Sequence, residues 1–478
     1  MTSTPSAPPA TARQDATAPS LAEILDRAAR IAPLTSFPPI DDLLAGFDAL
    51  ATASGGRLVK RRIGTSRLGE PIHEYVIGTG SRHALVIGGV HPNEPIGFHT
   101  ARVLAEDLLA EPAFFDRFDA TWHIVPCIDP DGARLNEGWF ADPGDRSHYA
   151  RNFYRPAPQE QVEWSFPLNY KNAYFDRPMP ETDAVMRLMV ETEPSLLVGL
   201  HNAELGGVYY YVSRELPGAV AALHAIPQSL GLPLDAGEPE SSDLVALAPA
   251  VFRAPLATEH YDHLEALGVD PTLEVGGGGS ADYAARFGTL TLIAELPYWT
   301  HPDALDTAPS GTSYDEVLRA KAAGLRELGT VLADALAAAA PHLSIESPFL
   351  RASRAFVPMM TVVGDGEAAR AEVPESRRPA TVAEVFTNAD VLRCFRLRFG
   401  GMLVRALEAE VVAGIAPVEV RRAHAALAET YDRWIAESDA VDGISVLPVE
   451  RLVGVQYAST LAMAALLADD GSGTGESA

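Results

Sequence analysis

The sequence predicts an α/β fold: a mixed, largely parallel sheet flanked by helices, with a smaller, mainly helical C-terminal unit. Three observations carry this. Four short runs, at 84–90 (ALVIGGV), 122–128 (WHIVPCI), 195–200 (SLLVGL) and 289–294 (TLTLIA), are apolar at consecutive positions and end in turn or polar residues. Strands buried on both faces read this way, and they belong to sheets covered by helices. Helix-period patterns lie between the runs, the alternation of an α/β unit. From 381 to 467 the helical pattern continues with little strand signal.

In chain order, residues 1–20 are Thr-, Ser-, Ala- and Pro-rich and are expected to be a disordered lead-in. The α/β domain spans 21–340. Its helices are expected at 21–30, 41–52, 95–110, 181–192 and 219–230, and a long amphipathic stretch at 314–339 closes it. Residues 341–380, Pro-rich and irregular, read as a connector. The helical unit occupies 381–467, and 468–478 read as a disordered tail. No internal repeat is visible.

The chain of 478 residues has room for two to four domains and buries a core without disulfide or metal staples. Lys plus Arg number 37 against 64 Asp plus Glu, a net charge of −27. Such a surface repels phosphate backbones and anionic membranes, so neither nucleic acid nor membrane is an expected partner. The only cysteines, Cys127 and Cys394, exclude a disulfide framework and a multi-thiolate zinc site. No apolar run reaches the roughly 18 residues of a membrane span. The N-terminus lacks the basic start and apolar stretch of a secretory signal, so a soluble cytoplasmic protein is expected.

Ligands of open α/β sheets bind at the carboxyl ends of the strands. The four apolar runs are followed there by His91-Pro92-Asn93-Glu94, Asp129-Pro130-Asp131-Gly132, His201-Asn202 and Glu295. Four metal-competent or acid–base segments at one end are a pattern, not scatter. His91, Glu94 in the first turn of the next helix, and His201 make a two-His, one-carboxylate set. That set leaves a fourth position open, as catalytic rather than structural zinc does. An ion there acidifies its water and polarises a carbonyl. Glu295 is then a free carboxylate suited to take the water's proton and pass it to a leaving amine.

These motifs, in order HPNE (91–94), DPDG (129–132), RNF (151–153), PET (180–182), GLHN (199–202), GGSADY (278–283) and AEL (294–296), resemble those of the zinc carboxypeptidase family (peptidase family M14, carboxypeptidase A-like) over about residues 21–340. IGTSRLGEPI at 63–72 is similar to that family's opening strand and turn. The resemblance implies one Zn²⁺ held by His91, Glu94 and His201, with Glu295 as general base. It implies Arg151 as the guanidinium fork for a substrate carboxylate, with Asn152 of the same motif beside it. It implies Arg134, or in second place Arg146, as the group that polarises the scissile carbonyl. Asp131 is expected to shape its loop and orient His91.

Three departures from the family pattern matter. Ala150 and Asp129 stand where the family has Asn. Ala281, at the position that helps set side-chain preference, offers no charge and hence no selection for Lys or Arg from that position. The family's mobile tyrosine is replaced by Glu274; Tyr209, Tyr210, Tyr211 or Tyr261 could stand in, although a tyrosine run is more often packing. Glu274 is a candidate for binding a substrate's cationic amine. His260 and His263 have a metal-like spacing but read as surface residues. Residues 276–279 (GGGG) form no phosphate loop and read as a flexible rim. Cys127 reads as core, His99 and His123 as structural, and Arg393, Arg396 and Arg398 as solvated charges or an internal interface.

The leading expectation is therefore a zinc hydrolase of an amide bond, a metallocarboxypeptidase removing a C-terminal residue from a peptide. A small-molecule amidase or N-acyl amino acid deacylase on the same site is the alternative. A non-catalytic scaffold, with the helical unit as its working part, is the alternative of another class.

Overall fold

A computed structural model describes residues 17–472, except 242, 274 and 275. The four apolar runs become the adjoining inner strands of one nine-stranded sheet. Its strands are β1 (Val59–Thr65), β2 (Pro71–Ile77), β3 (Arg82–Gly88), β4 (Ala120–Val125), β5 (Leu196–Leu200), β6 (Tyr209–Val212), β7 (Ala246–Ala248), β8 (Val251–Arg253) and β9 (Leu290–Glu295), in the order β1-β2-β4-β3-β5-β9-β6-β8-β7. The inner four, β4, β3, β5 and β9, run parallel, and antiparallel pairs appear toward both edges. Every residue of β5 and β9 is buried, as their unbroken apolar sequences require. The outer strands escape sequence reading. β1 (VKRRIGT) is a charged edge strand, and β7 and β8 have only three residues each, too few to show a period.

Register positions the site. Gly88 pairs with Leu200, and Leu200 with Ala294, so β3, β5 and β9 end level. His91, His201 and Glu295 therefore emerge at one rim.

The principal helices are α1 (Leu21–Ala28), α2 (Ile40–Ala53), α3 (Ile96–Ala110), α4 (Pro180–Thr192), α5 (Ala219–Ser229), α6 (Tyr314–Ala339), α7 (Pro348–Glu372), α8 (Val382–Val412), α9 (Val418–Asp439) and α10 (Val449–Ser472). Three expectations are corrected. Residues 341–380 carry the 25-residue helix α7, capped by Ser347, rather than an irregular connector. Pro348 starts this helix at a position where its missing N–H is harmless, and Pro358, Gly364 and Gly366 hide its period. Residues 17–20 are anchored: Ser20 and Glu23 form a capping box on α1, and the Arg117 Nε donates to the Thr17 carbonyl at 2.9 Å. The helix α10 continues to Ser472, past the expected start of the tail. Residues 1–16 and 473–478 lie outside the described residues.

The C-terminal region divides its packing. Helices α6 to α9 pack on one another, and α8 also meets the short helix Arg146–Asn152. The last helix returns to the α/β core, against α1, α3, α5, β5 and β9. Val449–Asp470 is long and apolar enough to cross a membrane by length and composition, and 83% of its apolar window is buried in the fold. A helix apolar around most of its circumference fits a protein interior equally well.

Candidate active site

At the level strand ends, His91 and His201 face each other with ring centroids 4.9 Å apart at 74°. Glu94 completes the group: one ligand atom from each residue lies within 4.8 Å of the others, and all three side chains are buried. Glu94 sits in the turn just before α3 rather than in its first helical turn. Glycine at 199 lets the His201 ring fold back over its own strand, since a Cβ there would lie 3.0 Å from two ring atoms. Asn202 ties the ligand segments together. Its N–H donates to Glu94 Oε2 at 3.2 Å, its Oδ1 accepts from the Ile96 N–H at 3.3 Å, and its Nδ2 donates to the Leu296 carbonyl. From α10, the buried Gln456 donates to the His201 carbonyl at 2.8 Å and accepts from Thr100 Oγ1 at 2.7 Å.

The donor set fits a divalent metal. His91 Nδ1 and His201 Nε2 are buried and have no hydrogen-bond partner among the described residues, while His201 Nδ1 faces Glu94 Oε2 at 3.2 Å. Buried polar atoms are rarely left so, and lone pairs converging with a carboxylate on one point are what an ion requires. Burial, helped by Arg155, holds the His91 pKa well below the usual histidine range, which keeps the ring in its neutral, ligating form. Burial also pulls His201 down, but the Glu94 carboxylate outweighs it and the net shift is upward. Glu295 Oε1 stands 3.7 Å from His201 Nδ1. Burial, then the charges of Glu240 and Glu94, raise the Glu295 pKa well above the usual carboxylate value.

The expected arginines are elsewhere. Arg134 is held by Asp41 at 2.7 Å and Glu70 at 3.2 Å, and Arg146 is buried against Asp390 at 2.7 Å. Arg151, half exposed, pairs with Asp432 of α9 at 3.0 Å and lies over the Tyr431 ring. In each case a nearby carboxylate captures the fork. Asn152 turns back to the His148 carbonyl at 2.9 Å, inside its own short helix. Asp131 accepts from Ser66 Oγ and the Leu68 N–H, so it fixes that loop rather than orienting His91.

The arginine at the metal-binding group is Arg155, four residues after Arg151. Its Nη1 meets Glu94 Oε1 at 2.9 Å and its Nε donates to Gln161 at 3.1 Å. Its proximity to the RNF motif was the available signal. Arg398 of α8, largely buried and paired with Glu204, adds a second positive charge felt by His91; nothing in the sequence linked it to the metal-binding group.

Among the described residues this is the one group of three or more ligand-type side chains able to hold an ion. His260 instead meets Asp243 at 3.0 Å. Ala281 packs in a buried cluster with Tyr209, Tyr211 and Ile293. Tyr261 packs with Ala173 and Leu264, away from the metal-binding group. The 276–279 segment is pinned to its neighbour: Gly278 and Phe166 exchange backbone hydrogen bonds, and a Cβ at Gly277 would lie 2.5 Å from the Trp164 carbonyl oxygen. Glu274 lies outside the described residues.

Compared with known proteins, the chain matches the profile of the zinc carboxypeptidase family over residues 43–298, more than half of its length. The chain belongs to that family. Helices α6 to α10 lie beyond the matched segment, so Arg398 and Gln456 reach the candidate site from outside it. Among solved structures, carboxypeptidase A from Helicoverpa armigera is 13% identical, with 74% of this chain and 80% of that one covered, at a TM-score of 0.37. A metallo-carboxypeptidase from Burkholderia cenocepacia is 17% identical, with 54% and 60% covered, at 0.33. No curated protein matches.

Asp129 departs from the family's Asn with a measurable consequence. It is buried, caps Pro130–Arg134 by accepting from the Gly132 N–H at 2.8 Å, and is pushed up to about 7, chiefly by burial. A carboxyl whose folded pKa exceeds its unfolded value of about 3.9 stabilises the fold at low pH and loses that contribution as pH rises toward 7. Asp129→Asn keeps the acceptor and removes the charge. Its stability advantage over wild type should grow by up to about 4 kcal/mol between pH 4 and pH 8. Denaturant unfolding at both pH values checks this, and a pH-independent difference would refute it.

Proposed function

We propose that this protein is a zinc-dependent hydrolase of amide bonds, with a peptide bearing a free C-terminal carboxylate as its leading substrate class. The observation that carries the reading is the buried His91–Glu94–His201 group with Glu295 beside it. Zinc bound there supplies a Lewis acid, which acidifies water and polarises a carbonyl. The remaining steps belong to the protein. Glu295 takes the proton of the attacking water on Oε1 and returns it to the leaving amine. Its burial and neighbouring carboxylates favour accepting that proton. Arg155, partly exposed beside Glu94, is the cation placed to meet a developing oxyanion or a substrate carboxylate.

A second reading has its own support. Arg151, which the motif resemblance makes the carboxylate fork, is engaged by Asp432 at the surface. A substrate that needs no such fork, a small amide without a carboxylate, fits that arrangement; an N-acyl amino acid keeps the carboxylate and would need another cation, such as Arg155, to receive it. Zinc analysis of the purified protein, with a panel of N-blocked peptides, their C-terminal amides and N-acyl amino acids, tests both. One zinc per chain and hydrolysis of free-carboxylate peptides alone is the expected result. Equal cleavage of the C-terminal amides would shift the assignment to amidase, and absence of both zinc and turnover would overturn the hydrolase.

A further inference from the structure

The carboxylates around the metal-binding group differ in how they are balanced. Glu94 meets Arg155, Glu204 meets Arg398, and Glu238 meets Arg370. Asp235 accepts from the Gly207 and Gly237 N–H groups. Glu240 is different. It is exposed, has no cationic partner among the described residues, and is the strongest charged neighbour acting on Glu295. Tyr211 donates its hydroxyl to Glu240 Oε2 at 2.8 Å, and the Tyr209 ring packs edge-on against the Tyr211 ring at 5.8 Å. These tyrosines flank the site by register, since Tyr209 pairs with Glu295 across β6 and β9. Both pack with Ala281, whose methyl group leaves that wall uncharged.

The segment bearing Glu240 is held in place. The Glu238 carboxylate accepts from the Tyr314 hydroxyl at 2.6 Å and from Arg370 at 2.8 Å, and the Asn388 amide reaches it at 3.3 Å. The Glu238 N–H donates to Thr387 Oγ1 at 3.0 Å. Helices α6, α7 and α8 thus clamp the residue two positions before Glu240. A solvent-facing carboxylate on a fixed segment, oriented by the Tyr211 phenol and left without a counter-charge among the described residues, is a preorganised acceptor for a cation.

We propose that Glu240 is a specificity-determining residue that receives a cationic group of the substrate, an ammonium or guanidinium close to the scissile amide. The inference rests on the hydrolase reading for the identity of the reacting bond, but its recognition chemistry is testable by binding alone. The cation can come from the side chain of the released residue or from a free α-amine on the acyl side.

Calorimetric binding to the zinc-loaded protein separates these sources with two matched pairs. L-lysine against L-norleucine tests the released side chain, and glycyl-L-phenylalanine against N-acetylglycyl-L-phenylalanine tests the α-amine. In one pair the wild type should prefer the cationic member, and Glu240→Gln should reduce that ratio about tenfold. Glutamine still accepts from the Tyr211 hydroxyl, so Tyr211→Phe serves as a second variant, with a smaller loss in the same pair. No cationic preference in either pair, or an unchanged ratio in Glu240→Gln, would overturn the proposal. Hydrolysis of glycyl-L-phenylalanine and its acetylated form is followed separately. Charge-selective binding without any turnover would sink the hydrolase reading while upholding Glu240.

Discussion

Glu295→Gln should lower turnover by about 10²–10⁴-fold, the usual range for loss of a positioned general base, without loss of the metal. Glu295 is not one of the three converging ligands; its carboxylate stands 3.7 Å from His201, at the rim where the strands end. The substitution preserves shape and removes the carboxylate proposed to take the proton. It also removes a buried charge that faces Glu240 and Glu94, so the melting temperature should stay level or rise. Steady-state kinetics, metal analysis and a thermal melt on one preparation test the three parts together. Zinc lost along with activity would make Glu295 a ligand instead of a base. Activity retained within a few-fold would move the base elsewhere.

Arg398→Met is the second large effect, expressed in stability. Arg398 on α8 and Glu204, three residues after His201, form a largely buried ion pair with relative exposures of 11% and 17%. Tyr149 donates to the same carboxylate at 2.7 Å, and the guanidinium lies 4.5 Å from the Phe153 ring centroid. Removing one member of such a pair leaves the other charge buried and uncompensated, at a cost of about 3–5 kcal/mol. Replacing both by apolar residues removes that penalty. Arg398→Met combined with Glu204→Leu should therefore recover most of the stability lost in Arg398→Met alone. Urea unfolding of the two single variants and the double variant closes the cycle. Additive losses would show that the two side chains stabilise the fold independently. Because Glu204 extends the segment that carries His201, the Arg398→Met variant should also bind zinc more weakly, measured by competition with a chromogenic chelator.

These two sites mark the boundary between local and tertiary information. Glu295 was legible because it ends an unbroken apolar run, and such a run has one plausible fate, a strand buried on both faces. His91, Glu94 and His201 were legible for the same reason. Each follows an inner strand, and parallel neighbours in one sheet deliver their carboxyl ends to one rim. The helix at 314–339 was read to the residue, since an amphipathic period sustained for 26 residues has a single reading. Helix α7 was missed because Pro358, Gly364 and Gly366 interrupt the period that tertiary packing nevertheless holds together.

The arginines show the limit most clearly. Motif position nominated Arg134 and Arg151, but a guanidinium goes to the nearest available carboxylate. Asp41, Glu70 and Asp432, all distant in sequence, take those two. Arg155 reaches Glu94 because the chain after the short helix Arg146–Asn152 passes the metal-binding group. The identity of the four inner strands, the rim they share and the candidate metal-binding group were legible in the sequence alone, through local apolar continuity and residue chemistry. The choice of arginine at the site, the balance of each carboxylate and the place of the C-terminal helices were decided only by the tertiary structure. Charge pairing and burial depend on contacts between residues far apart in sequence, such as Arg151 with Asp432, 281 positions apart, and Thr100 with Gln456, 356 apart, and no local pattern records them.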